Sequence, residues 1–304
     1  MKPYRDYADY LASRFPCKMQ KLTVNAGFTC PNRDGTLGYG GCTYCNNASF
    51  SPAIGGDTVT QQLINSRQFF AHKYPAMRYI AYFQSYTNTH GDIDRLLALY
   101  REALAVDGVD AIIIGTRPDC VSPALLDALA EINRANRVII EYGAESSHDA
   151  TLRLVNRCHT WQTTVDAVAM TRERGIDVGL HFILGLPGET RDMMLATVDA
   201  INAVMPDTVK FHQLQLIRGT LLARQVERGE LDIPRFTVDE YINLCCEVIR
   251  RLDPSIAIER FVSQSPADLL IYPRWGLKNY QFTNLLLKAI HNDTVSLSVS
   301  KKGY

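Results

Sequence analysis

Three cysteines, Cys30, Cys42 and Cys45, stand close together in the stretch GFTCPNRDGTLGYGGCTYCNN. Five glycines and few aliphatic residues surround them, so the stretch has little with which to build a core. Cysteine is ordinarily a buried residue, and three of them in a polar loop call for a chemical reason. Cys42 and Cys45 form a CxxC pair. That spacing lets two sulfurs converge on a metal or a cluster, or oxidise to a redox disulfide. The third thiol bears on the choice. A thioredoxin-like pair needs no third cysteine. A structural zinc ion wants four ligands, and no fourth cysteine or histidine lies nearby, His72 being on a separate helical segment. A [4Fe–4S] cluster held by three cysteines leaves one iron open to another ligand. Three unrelated thiols in a loop are the bland alternative.

Such a loop needs a scaffold. Apolar, β-rich runs occur at Lys21–Val24, Arg78–Phe83, Ala111–Ile114, Val138–Glu141, Asp177–Leu184 and Thr208–Leu214. Helical apolar spacing lies between them, at Val59–Phe70, Ile93–Leu104, Pro123–Ile132, Trp161–Thr171 and Met193–Val204. Asp57, Asp92, Ser122 and Glu189-Thr190 supply helix starts. The alternation predicts a parallel sheet of right-handed βαβ units. The fold class is α/β, a partial (β/α)6 TIM-like barrel with a C-terminal extension. The barrel core and its N-terminal lead-in take residues 1–220, and a mostly helical extension takes 221–304. In the extension we expect a helix at Phe236–Arg251, a strand-like piece at Ile256–Phe261, a further segment at Pro266–Ile271, and a last helix near Tyr280–Ile290. The tail Ser296–Tyr304 is expected to be disordered or a short strand. Chemistry in parallel α/β proteins gathers at the C-terminal ends of the strands, and Cys30 follows the first strand.

The 304 residues carry 32 Lys+Arg against 32 Asp+Glu. This balance gives no global reason to expect nucleic acid, a membrane surface or a polyanion. The opening MKPYRDYADYLASRF lacks the apolar stretch of a signal peptide, and no window approaches the ~18 apolar residues of a membrane span. The expectation is a cytoplasmic protein without membrane contact, whose eight cysteines stay unpaired as disulfides. One local asymmetry stands out. From Arg250 onward eight Lys and Arg face four Asp and Glu, with Tyr272, Trp275 and Tyr280 among them. Basic and aromatic residues so mixed can hold RNA loops; a solvated face over core aromatics is the plainer reading.

Taken together, AGFTCPNRDG, GGCTYCNN, YFQSYTNT, IGTRPDC, NRCH, ILGLPGE and PRWG resemble the radical S-adenosylmethionine (radical SAM) superfamily over most of the chain. The commonest spacing there is CxxxCxxC with an aromatic before the last cysteine, a place held here by Tyr44. The eleven residues between Cys30 and Cys42 depart from it and are similar to the subgroup of the Elongator catalytic subunit. The nearer likeness is to a bacterial YhcC-like family, with a core related to oxygen-independent coproporphyrinogen oxidase. NRCH stands where that likeness leads one to expect NRGH.

The resemblance implies a radical SAM enzyme. Cys30, Cys42 and Cys45 would hold one [4Fe–4S] cluster, and the amine and carboxylate of S-adenosyl-L-methionine (SAM) would chelate the open iron. An electron from a low-potential donor of flavodoxin or ferredoxin type would cleave SAM. The resulting 5′-deoxyadenosyl radical would take hydrogen from an unidentified substrate, a small molecule or tRNA. Gln84, Ser85 and Thr87 stand where relatives keep a Gly-rich turn for the methionyl ammonium. In EYGAESSHDATLRLVNR, Glu145 would accept from the ribose and Arg157 would grip the SAM carboxylate. His181 would reach the ribose and Ile183 the adenine, with Arg117 and Glu141 as weaker candidates.

Plainer roles stand beside these. Gln84–Thr87 could be a turn, Glu145 and Arg157 could suit a helix dipole, His181 could be a core histidine, and Arg117 could be salt-bridged. Cys17, Cys158, Cys245 and Cys246 have no metal-like neighbours in the sequence, Cys120 lies near the barrel mouth, and His212 could face the barrel interior. A non-catalytic iron–sulfur redox sensor or scaffold is the competing function, and a zinc-assisted hydrolase barrel a third.

Overall fold

A computed structural model of the chain describes residues 2–49, 57–71, 74 and 76–300. His72, Lys301 and Lys302 of the sequence reading lie outside the described residues. The chain begins with α1 (Tyr7–Arg14) and β1 (Met19–Val24). Then come α2 (Val59–Ala71), β2 (Arg78–Phe83), α3 (Ile93–Leu104), β3 (Val109–Thr116), α4 (Pro123–Asn133) and β4 (Arg137–Glu145). They are followed by α5 (Asp149–Leu154), α6 (Trp161–Arg172), β5 (Asp177–Leu184), α7 (Arg191–Val204) and β6 (Thr208–Gln213). The last elements are β7 (Leu216–Ile217), α8 (Leu221–Glu227), α9 (Val238–Arg251), β8 (Ala257–Arg260), β9 (Leu270–Tyr272) and α10 (Asn279–Ser300).

Seven parallel strands form one sheet in the order β1-β2-β3-β4-β5-β6-β8, curled into a partial barrel. The six expected units are present, and the Ile-rich piece after α9 adds a seventh strand beside β6. β7 and β9 pair antiparallel in a separate ribbon. Near the edge, Ile258 N–H donates to Arg5 O at 2.9 Å, so the segment before α1 lies against β8.

Both faces of the sheet are covered, which explains the near-continuous burial of β2, β3 and β4. Outside, the strands bury Ile112, Ile114, Ile140, Val178 and Phe211 in the main core; fully burying such a side chain is worth about 1.5–3 kcal/mol. Inside, Tyr10 and Phe15 plug the N-terminal end of the barrel against Ile80, Ile113 and Ile139. Asp177 fixes that plug, accepting from Tyr10 OH at 2.8 Å and pairing with Arg14 and Arg137.

The helix starts follow the capping residues. Asp92, Ser122 and Thr190 each accept the N3 backbone N–H of α3, α4 and α7, a contact worth about 1 kcal/mol. At α2 the cap is Thr58 and not Asp57. Thr58 Oγ1 accepts from Gln61 N–H at 3.2 Å, while the Asp57 carbonyl takes the Gln62 side chain. Within the tail, 296–300 differ from expectation: α10 carries helical backbone through Ser300, with no Gly or Pro to interrupt it, and 301–304 lie outside the described residues. Among the described residues no helix is long and apolar enough to cross a membrane.

Candidate active site

The loop after β1 folds by turning on itself. Arg33 and Asp34 N–H both donate to Cys30 O, and Cys45 N–H donates to Cys42 O at 3.0 Å. Gly41, at φ +79°, permits the bend before Cys42, where a Cβ would strike the Arg33 side chain at 2.8 Å. Cys30, Cys42 and Cys45 all line one cavity of about 500 Å³ at the C-terminal end of the strands. Burial, then the neighbouring Cys42, pushes the Cys45 thiol up to about 11.

The end of β4 supplies the charges beside that loop. A register shift between Gly143 and Glu145 breaks the pairing with β5, and Glu145 takes φ 70°. A bulge of this kind re-aims a side chain. Arg157 Nη2 donates to Gly143 O at 2.6 Å and lies 3.6 Å from Glu145 Oε1. Its Nη1 stands 3.4 Å from Cys42 Sγ. Glycine at position 143 makes room for both groups, since a Cβ would meet Glu145 Oε1 at 2.6 Å and Arg157 Nη2 at 2.8 Å and push them aside. Burial raises the Glu145 carboxyl, against the pull of Arg157 and Arg117. Arg117 is salt-bridged as the plainer reading had it, to Asp119 at 2.7 Å, and it also donates to Arg157 O. Among the described residues, Arg117 Nη1, Arg157 Nε and Tyr44 OH are buried here without a partner.

The cavity also collects Gln84, Thr87, His181 and Ile183. Ser85 is buried but stands apart from the lining, in the bend after β2 where Tyr86 takes φ 63°. Cys245 and Cys246 are buried in α9 and Cys17 lies by Met19, away from the cavity. Cys120 lies beside Asp119. Cys158 sits at φ 62° with Sγ 3.1 Å from Asn32 Oδ1. The left-handed backbone there explains why glycine would suit that place.

Sequence reasoning missed the barrel floor under the cavity. Glu141 is its centre, and it belongs to this floor more than to the rim. Its oxygens meet Lys21 Nζ at 3.1 Å, Lys210 Nζ at 2.9 Å, Tyr82 OH at 2.8 Å and His181 Nε2 at 2.8 Å. Glu259 takes Lys21 at 2.6 Å and Lys210 at 3.1 Å. Gly179 leaves room for Glu141, whose Cγ would lie 3.1 Å from an added Cβ. Burial alone would raise the Glu141 carboxyl, but Lys21, Lys210 and His181 hold it well below the usual range. Burial, then Lys210, lowers His181 to about 4, so its imidazole is neutral near pH 7. His212 does face the barrel interior, its ring 5.8 Å from that of His181.

The donor set fits an iron–sulfur cluster and SAM better than a single ion. Among the described residues no three His, Cys, Asp or Glu side chains converge on one metal ion. A cluster sets each thiolate on a different iron, so its ligands stand farther apart. Unpartnered guanidinium atoms beside the thiols suit a ligand that brings its own carboxylate.

Comparison with known proteins agrees. The Radical SAM superfamily profile matches residues 27–201, and the Radical SAM C-terminal domain profile matches 206–292. Protein YhcC of Escherichia coli is 35% identical over 267 residues, 87% of this chain and 85% of its own length. A tRNA uridine(34) acetyltransferase of Methanocaldococcus infernus is 32% identical over 123 residues, 40% of this chain and 22% of its own. Among solved structures, the archaeal Methanocaldococcus infernus Elp3 with an N-terminal deletion superposes with a TM-score of 0.67 at 19% identity. That match covers 91% of this chain and 63% of Elp3. Family match and fold concur: the chain belongs to the radical SAM superfamily and is an enzyme of that class.

Proposed function

We propose that Cys30, Cys42 and Cys45 hold one [4Fe–4S] cluster, with SAM beside it against the ends of β2, β4 and β5. The observation that carries this reading is the meeting, in one cavity, of three thiols and two buried arginines with unpartnered nitrogens. With an electron from a flavodoxin- or ferredoxin-type donor, cluster and SAM supply the radical chemistry that removes hydrogen from the substrate. Arg157 grips the SAM carboxylate through its free Nε, and Arg117 adds a second N–H. Glu145, turned inward by the bulge, accepts from the ribose. Gln84 and Thr87 receive the methionyl ammonium, while Ser85 shapes the turn from behind. Ile183 offers an apolar face to the adenine, and His181, held by Glu141, presents its other nitrogen to the ribose. Tyr44, like Ile183, packs against the apolar cluster that includes Leu214 and closes the site to water from that side. The reducing cytoplasm suits the thiolates and the donor.

The test is anaerobic reconstitution with iron and sulfide, followed by SAM and a reductant. A brown chain with about four irons that releases 5′-deoxyadenosine is expected. A colourless chain overturns the reading, and a brown chain that never cleaves SAM favours the sensor.

The likeness to a tRNA uridine(34) acetyltransferase favours tRNA as substrate over a small molecule. The aromatics first considered for RNA are only partly available. Trp275 stacks on Phe282 and donates to Phe236 O, and Tyr272 bonds Phe236 N–H through its hydroxyl. Tyr280, 61% exposed, remains open to a base. tRNA binding that weakens steeply with salt supports this reading, and its absence at low salt leaves a small molecule.

A further inference from the structure

Away from the cysteine loop, the cavity has a polar wall built from β6, β8 and the chain that follows β8. Its amides are occupied by the protein itself. Gln213 exchanges two hydrogen bonds with Ser263, at 3.0 Å and 2.8 Å. Gln215 donates to Ser263 O at 3.1 Å and accepts from Ser265 Oγ at 2.7 Å. The carboxylates below are occupied too, since Lys21 and Lys210 answer Glu141 and Glu259 between them. Arg260 is left over. Among the described residues it makes no ion pair, and its buried Nε has no partner. Its one polar contact is Nη2 to His212 Nδ1 at 3.5 Å. A guanidinium keeps its proton in proteins, so Arg260 cannot shed the cost of an unanswered charge by titrating.

His212 is held neutral by burial first, then by Arg260 and His181. With Nδ1 accepting from Arg260, the proton of the ring sits on Nε2. Both residues line the cavity, and both have only donors left to offer. We propose that Arg260 and His212 form a subsite for an oxyanion, a carboxylate or a phosphate, carried by the substrate. The inference rests on the reading that substrate meets SAM in this cavity. A planar guanidinium matches the paired oxygens of either group, and the anion would supply the charge that the wall lacks.

Calorimetric titration of the reconstituted, SAM-loaded full chain with inorganic phosphate, and separately with acetate, tests the subsite. Saturable binding of phosphate or acetate is expected, the tighter of the two naming the group. Arg260→Gln should weaken it by about tenfold or more, and Arg260→Lys should recover part of the loss. His212→Gln should weaken it less, and it serves if Arg260→Gln misfolds. Unchanged affinity in Arg260→Gln and His212→Gln, or no saturable binding in the wild type, overturns the subsite. Failure of the wild type to take up iron or SAM is seen before any titration and sinks the reading of the cavity instead. The same phosphate titration of the unreconstituted full chain then decides the subsite.

Discussion

Among the described residues, charged groups around the cysteine loop are left with atoms that bond to nothing; below them, inside the barrel, two lysines and two glutamates answer one another. Arg117, Arg157 and Tyr44 keep buried polar atoms without partners. Lys21, Lys210, Glu141 and Glu259 bond one another at 2.6–3.1 Å. An unsatisfied buried group costs about 1–3 kcal/mol. The loop tolerates several, which is the condition of a site that a ligand completes. The paired lysines and glutamates of the floor leave none, which is the condition of a scaffold that must not move. Arg260, beside them, is the exception at that level, with Nε unpartnered among the described residues.

Breaking the loop side should have the largest effect. Cys30→Ala, Cys42→Ala and Cys45→Ala should each abolish cluster absorbance in the reconstituted chain, while Cys17→Ala and Cys245→Ala keep it. A full cluster in Cys42→Ala would remove the assignment. Breaking the floor should instead cost stability. Glu141→Gln strips Lys210, Lys21 and His181 of a shared buried partner and should destabilise by about 3–5 kcal/mol in urea denaturation. A loss below ~1 kcal/mol would mean the floor is wetter than its contacts imply.

Smaller changes sharpen the boundary between the two regions. Glu145→Ala should weaken SAM binding roughly tenfold and leave iron content alone. Arg157→Ala should lower both, because Nη1 touches Cys42 Sγ. Gly143→Ala should mimic a milder Arg157→Ala by displacing both side chains. Equal iron content in Arg157→Ala and wild type would separate that arginine from the cluster.

The smallest effect is a pH slope. His181 sits at about 4 when folded, below its ordinary 6.5, chiefly through burial. On acidification the unfolded chain therefore takes up the proton first, and stability falls as pH drops from 6.5 toward 4. His181→Asn should flatten that slope when urea midpoints are compared across pH. Glu141, held below its usual range, adds its own loss only as pH falls under 4.5. An unaltered slope in His181→Asn would assign the titration elsewhere.

What could be read from the sequence was local. β2, β5 and α3 begin and end where apolar periodicity places them, and Cys30, Cys42 and Cys45 all sit at one cavity. What escaped was non-local. β8 was legible as a strand-like run, but its partner β6 lies beyond α9, and no short-range pattern records that pairing. The floor escaped for the same reason, its contacts spanning 40 to 238 residues. A faint signal was present: Lys210 stands between Val209 and Phe211 in TVKFHQ, and His181 between Leu180 and Phe182 in DVGLHFIL, each a titratable residue flanked by apolar ones. Ser85 stands behind the cavity lining, and spacing cannot say which way a turn residue points.

The contact between Lys21 and Glu259, 238 residues apart, sets an order of assembly. Closing so long a span is entropically late compared with pairing adjacent βα units, and the ribosome delivers β8 last among the sheet strands. Until β8 arrives, Lys21 and Lys210 must share the single carboxylate of Glu141, and the interior lies ajar beside β6. The ring of charge is therefore also a latch, engaged only when nearly the whole chain is present, and a chain cut before Ala257 would carry the cysteine loop on a sheet that lacks its last strand and the carboxylate of Glu259.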